Sequence, residues 1–108
     1  MQETEQIAEC LDALGNPTRL DLFRLLVRAG GEGRTVGQIQ EALAIPASTL
    51  SHHLKLLELV GLVSRGKQGT THMVSANIPK MDELVLFLTK ECCADRPESD
   101  HKSHWHKD

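Results

Sequence analysis

The segment from Thr35 to Gly61 constrains the fold more than any other part of the chain. Thr35 with Gln38 three residues on is a capping-box pair, opening a short helix whose Val36, Ile39 and Leu43 share one face. Only the tight connection Ala44-Ile45-Pro46 separates it from a second helix. From about Ala47 to Val60 that helix turns Leu50, Leu54 and Leu57 to one side and leaves Ser48, Ser51, His52 and Lys55 on the other. Gly61 is the expected stop.

The flanks complete the pattern. Ile7, Leu11 and Leu14, with Cys10 on the same stripe, make about Thr4 to Leu14 a short amphipathic helix that Gly15-Asn16 ends. Asn16-Pro17 then offers a cap followed by proline at the first helical position, and Thr18 to Ala29 is apolar on most sides, as a central helix is. Beyond Gly61, Leu62–Arg65 and Thr71–Ser75 suit short strands, with Gly66–Gly69 as the turn of a β-hairpin. Asn77 can cap a last helix carrying Pro79 in its first turn, with Met81, Leu84, Val85, Leu88 and then Cys92 as its apolar face. The pattern fades at Asp95 to Pro97. The expected fold class is therefore mainly α with a small β-hairpin, a winged helix-turn-helix over residues 1–95. A mobile tail, 96–108, sets His101, His104 and His106 around Trp105.

At 108 residues the chain is one small domain, more easily stable as a dimer. Its longest apolar runs, such as Leu84 to Leu88, are far too short for a membrane helix or a secretory signal, so a cytoplasmic protein is expected. An odd count of three cysteines argues for thiols rather than a disulfide framework. The net charge of −3 looks wrong for a nucleic-acid partner, but its distribution does not. Residues 1–15 carry −4, residues 16–72 hold seven Lys or Arg against four acids (+3), and the remainder carries −2. A basic island lies between acidic ends. No phosphate-cradling glycine loop or nucleophile and base pair is present, which argues against an enzyme.

A helix fits the DNA major groove, and exposed Ser48, Thr49, Ser51 and His52 can reach base edges or phosphates. Lys55, Arg65 and Lys67 would neutralise phosphates of double-stranded operator DNA. Taken alone, Ser51, His52 and Lys55 are as well explained as a solvated helix face, and His53 as a packed histidine. The preceding helix, the basic hairpin and the charge island favour DNA. A protein-interaction module that binds no DNA is the alternative from another class.

LGNPTRLDLFRLL, followed by STLSHHLKLLELVGLVSRGKQG, resembles the ArsR/SmtB family of bacterial metalloregulators over roughly residues 5–93. The resemblance implies a homodimer joined by the first and last helices, repressing its own operon until an inducer binds. Pro46 departs from the family pattern, in which a hydroxyl cap often opens the recognition helix. The family's cysteine cluster on the preceding helix has no counterpart in TVGQIQEAL, and MDELVLFLTKECC lacks the histidines of its common zinc site. Some members instead carry a vicinal cysteine pair at the end of the last helix, with a third cysteine beyond, for trivalent arsenic.

Cys92 and Cys93 fit that pattern, making trivalent arsenic, or antimony, the expected inducer. Thiolates select soft ions. Adjacent residues of a regular helix point about 100° apart, so their sulfurs converge more easily where the helix ends. ADRPESDHKSHWHKD contains no third cysteine, leaving Cys10, water, hydroxide or a small cellular thiol as the third ligand. Cys10 on an apolar stripe also reads as a small buried hydrophobe. Oxidation or persulfidation of the pair is the rival trigger. Glu91 and Asp95 beside the negative end of the helix argue against it, because they oppose thiolate formation. The tail histidines read as solvated side chains rather than a shaped metal site.

Overall fold

A computed structural model describes residues 2–96 of the chain. They form helices α1 (Gln2–Leu14), α2 (Pro17–Ala29), α3 (Val36–Leu43), α4 (Ala47–Leu59) and α5 (Ile78–Thr89), with strands β1 (Arg34–Thr35), β2 (Val63–Gln68) and β3 (Thr71–Ala76). The mainly helical winged helix-turn-helix expected from the sequence is the fold observed. The tail from Pro97 onward, with its histidines and Trp105, lies outside the described residues.

Three helix starts follow the capping chemistry in the sequence. Asn16 Oδ1 accepts from Arg19 N at 3.0 Å with Pro17 in the first turn, and Asn77 Oδ1 accepts from Lys80 N at 3.2 Å. Both halves of the capping box are made, Gln38 N donating to Thr35 Oγ1 at 3.0 Å and Thr35 N to Gln38 Oε1 at 2.9 Å. α4 differs, because Pro46 occupies the cap position and supplies no side-chain acceptor. Gly61 closes α4 as expected, at φ 80, with its N–H on Glu58 O at 3.0 Å.

Leu22 and Leu26 of α2, Ile39 of α3, Leu50, Leu54 and Leu57 of α4, Leu62 and Val74 are essentially fully buried in one core. Each such aliphatic side chain contributes about 1.5–3 kcal/mol by leaving water. The sheet is antiparallel in the order β1-β3-β2.

Three features differ from the sequence expectation. The hairpin gains a third strand, β1, pairing Arg34 with Val74 and Thr35 with Met73. Gly33, at φ 75, permits this approach, since a Cβ there would overlap the Val74 carbonyl. The hairpin turn is also shorter than Gly66–Gly69: Gly66 pairs with Met73, the ladder runs on to Gln68 opposite Thr71, and Gly69 at φ 65 begins the turn. Finally, α5 ends at Thr89, so Cys92 does not extend its apolar face. Thr89 Oγ1 donates back to the Val85 carbonyl at 3.0 Å, Lys90 turns to extended backbone (ψ 131), and Glu91 enters the left-handed region at φ 60. The i+4 spacing that carries Leu84 and Leu88 to Cys92 has no core to meet there.

Candidate nucleic-acid interface and thiol pair

Ser48, Ser51, His52 and Lys55 recur at three- and four-residue steps along α4 and are all exposed, while Thr49 is half-buried. They form one polar stripe opposite Leu50, Leu54 and Leu57. His53, next to that stripe in sequence, is turned inward and only 9% exposed. Its Nδ1 lies 3.2 Å from Arg19 Nη1, and burial, then Arg19, then His52 lower its pKa. It is a packed histidine with a charged donor beside it.

The hairpin adds the basic groups. Val63, Arg65 and Lys67 alternate onto one face of β2 opposite Ala76, Val74 and His72. Val63 is buried and Lys67 is exposed. Between them, Arg65 Nε donates to Glu58 Oε2 of α4 at 2.9 Å, with both side chains about one-third exposed (36% and 33%). Sequence reasoning paired Arg65 with phosphate and missed Glu58. The contact joins a helix to a strand, and no periodic pattern signals such a pair.

Cys92 and Cys93 lie beyond α5 in a succession of turns, where Cys92 N donates to Thr89 O at 2.9 Å and Arg96 N donates to Cys93 O at 3.0 Å. Glu91 and Cys93 take φ of 60 and 63, a region that costs a non-glycine residue on the order of 1 kcal/mol. This backbone brings the two half-buried sulfurs to 3.5 Å from each other. Two metal–thiolate bonds of about 2.3 Å spanning that gap subtend about 100° at the ion, which a pyramidal ion accommodates. Cys10 is elsewhere in the packing: 1% exposed, it donates Sγ–H to the Val60 carbonyl at 3.5 Å, and burial raises its pKa. Among the described residues no group of three His, Cys, Asp or Glu side chains is placed to hold one metal ion. Within one chain the pair therefore offers two sulfurs.

Large apolar side chains remain exposed singly at Leu11 (40%) of α1, Leu20 (43%) of α2 and Leu59 (72%) of α4, and as a group at Val85 (51%), Leu86 (66%) and Leu88 (59%) of α5. Among the described residues no helix is long and apolar enough to cross a membrane.

Comparison with known proteins bears on the polar helix and its hairpin. A family model described as a helix-turn-helix domain matches residues 14–65. An uncharacterised HTH-type transcriptional regulator of Methanocaldococcus jannaschii is 40% identical over 88 residues, which cover 82% of this chain and 97% of that protein. The structure is similar to a homodimeric winged helix-turn-helix DNA-binding domain from Mycobacterium bovis, a possible ArsR-family transcriptional regulator, at TM-score 0.65 and 30% identity over 99% of this chain and 91% of that one. It is also similar to the transcriptional repressor PagR of Bacillus anthracis, at TM-score 0.67 and 31% identity over 81% and 97% of the two chains.

Proposed function

Given that the chain belongs to the winged helix-turn-helix transcriptional regulators of the ArsR family, we propose that it is a homodimeric repressor released from its operator when trivalent arsenic, or antimony, binds Cys92 and Cys93. The observation that carries the inducer is the 3.5 Å approach of the two sulfurs in a turn with two left-handed residues. Each sulfur–arsenic bond replaces a hydroxide of arsenous acid, which leaves as water with the thiol proton. The third position falls to hydroxide or to a small cellular thiol, since Cys10 is held in the core by the Val60 carbonyl.

Ser48, Thr49, Ser51 and His52 of α4 serve the major groove, and Lys55, Lys67 and Arg65 the flanking phosphates. The exposed Leu11 on α1 and Val85, Leu86 and Leu88 on α5 suit burial against a second copy. Two-fold symmetry then sets the two α4 helices on half-sites about 34 Å apart. Arsenic acts by binding the DNA-free arrangement of the dimer more tightly than the DNA-bound one; coupling of about 1–3 kcal/mol is typical.

Titrating the protein–DNA complex with arsenite, antimonite, zinc and a persulfide donor tests this. Arsenite should release the wild-type protein, while Cys92→Ser and Cys93→Ser should repress yet ignore it. Normal release of both variants would sink the thiol site, and release by the persulfide donor alone would favour thiol oxidation, which the same sulfur contact also serves. Absence of any DNA complex would favour a protein-interaction module.

A further inference from the structure

Apolar burial of Leu50, Leu54 and Leu57 holds α4 in the core but is non-directional, and Pro46 gives the helix no side-chain cap. Its directional contact on the inner face is His53 with Arg19. Arg19 sits in the first turn of α2, where its backbone N–H donates to Asn16 Oδ1 at 3.0 Å. Its Nε donates to the Ala13 carbonyl in the last turn of α1 at 2.6 Å, and its Nη1 lies 3.2 Å from His53 Nδ1. One guanidinium thus ties the end of α1, the start of α2 and the middle of α4. A guanidinium only donates, so His53 Nδ1 accepts and the ring proton resides on Nε2. Cys10 Sγ on the Val60 carbonyl adds a second tie between α1 and the end of α4.

We propose that Arg19 and His53 are a positioning pair that sets the rotation of α4 relative to α1 and α2, so that operator-specific binding depends on His53 Nδ1 remaining an acceptor. This rests on the DNA-binding role of α4. His53 touches no DNA in this scheme; it acts through the azimuth of Ser48, Ser51 and His52 on the opposite face. Protonation replaces the acceptor with a donor and sets two cations against each other. The charged and titratable groups around it are Arg19 from α2 and His52 from α4, with Glu9 and Asp12 of α1 lining the ≈ 370 Å³ cleft that Arg19 also borders.

Burial, Arg19 and His52 lower the folded-state pKa of His53 below its ordinary 6.5. The unfolded chain therefore takes up the proton first as pH falls. The contribution of the pair is complete above 6.5 and is lost on acidification between that value and the lower folded one.

The test is selection of an operator from a random duplex library with the wild-type protein, followed by affinities for that operator and for a random duplex between about pH 7.5 and 5.5. The ratio of the two is the readout, because a general electrostatic change with pH alters both affinities alike. The wild-type ratio should fall with acidification. His53→Asn puts a non-titrating acceptor oxygen at the position of Nδ1, so it should hold the ratio at neutral pH and make it flat. His53→Leu should lose about ten- to a hundredfold in the ratio at every pH, with random-duplex binding unchanged, as loss of a hydrogen bond to a charged group implies. A wild-type pH profile in His53→Asn would overturn the pair, and that variant decides the matter if His53→Leu does not fold. A wild-type ratio in a folded His53→Leu would overturn it too. Failure of the wild-type protein to enrich any duplex would overturn the DNA-binding role itself, and this inference with it.

Discussion

α4 and the turn carrying Cys92 and Cys93 are held in opposite ways. α4 has Leu50, Leu54 and Leu57 in the core, His53 on Arg19 of α2, and Glu58 on Arg65 of β2. The cysteine turn follows a helix whose outer face is exposed, and among the described residues its backbone hydrogen bonds reach three residues back, from Cys92 to Thr89, Ala94 to Glu91 and Arg96 to Cys93. A surface that must present several side chains in register needs the whole core behind it. Two adjacent sulfurs need only local backbone geometry, which leaves that segment able to change when it binds an ion.

Stability is the most direct way to break the comparison. Leu54→Ala should cost about 2–5 kcal/mol, because a fully packed leucine leaves a cavity. Cys92→Ser should stay within about 0.5 kcal/mol. Urea unfolding of both variants checks this, and similar losses would mean that the cysteine turn is part of the core.

A sharper version uses the helix that leads to the turn. Asn77→Ala removes the acceptor for Lys80 N and should destabilise α5 by about 1 kcal/mol. It also removes the Asn77 Nδ2 donor to the Gly61 carbonyl at 2.9 Å, the link from α5 to the end of α4. Amide exchange should then quicken along α5 with α4 little changed. Equal quickening in both helices would show that they open as one unit.

The smallest effect separates the two hairpin cations. Lys67→Ala should weaken binding to every DNA sequence and reduce the slope of log affinity against log salt by about 1 per protomer. Arg65→Ala should reduce it less, since Glu58 already holds that guanidinium. Affinities over a range of salt measure both, and equal slopes would mean that DNA draws Arg65 away from Glu58.

The same division decides what could be read in advance. Asn16, the Thr35 and Gln38 pair, Asn77 and Gly61 act on backbone groups a few residues away, so their chemistry is written in sequence order. The outward stripe of α4 was legible because a helix repeats every 3.6 residues whatever it packs against. Recognition of the family rested on LGNPTRLDLFRLL and STLSHHLKLLELVGLVSRGKQG, which hold Asn16, the α4 stripe and Gly61.

Other features exist only once distant parts of the chain meet. β1 is two residues long and takes its identity from Met73 and Val74. The early end of α5 was hidden because apolar spacing continues to Cys92 although the core does not. The Arg19–His53 contact joins positions 34 residues apart, and periodicity alone left His53 between a polar and an apolar face. Sequence by itself determined which segments are helical, where they are capped and which face of α4 is polar, because those properties arise from interactions within a few turns of one element. Tertiary structure decided that His53 turns inward, that Arg65 meets Glu58 and that α5 stops at Thr89. Each of these depends on whether a neighbour from another element is there to bury the side chain or share its hydrogen bond.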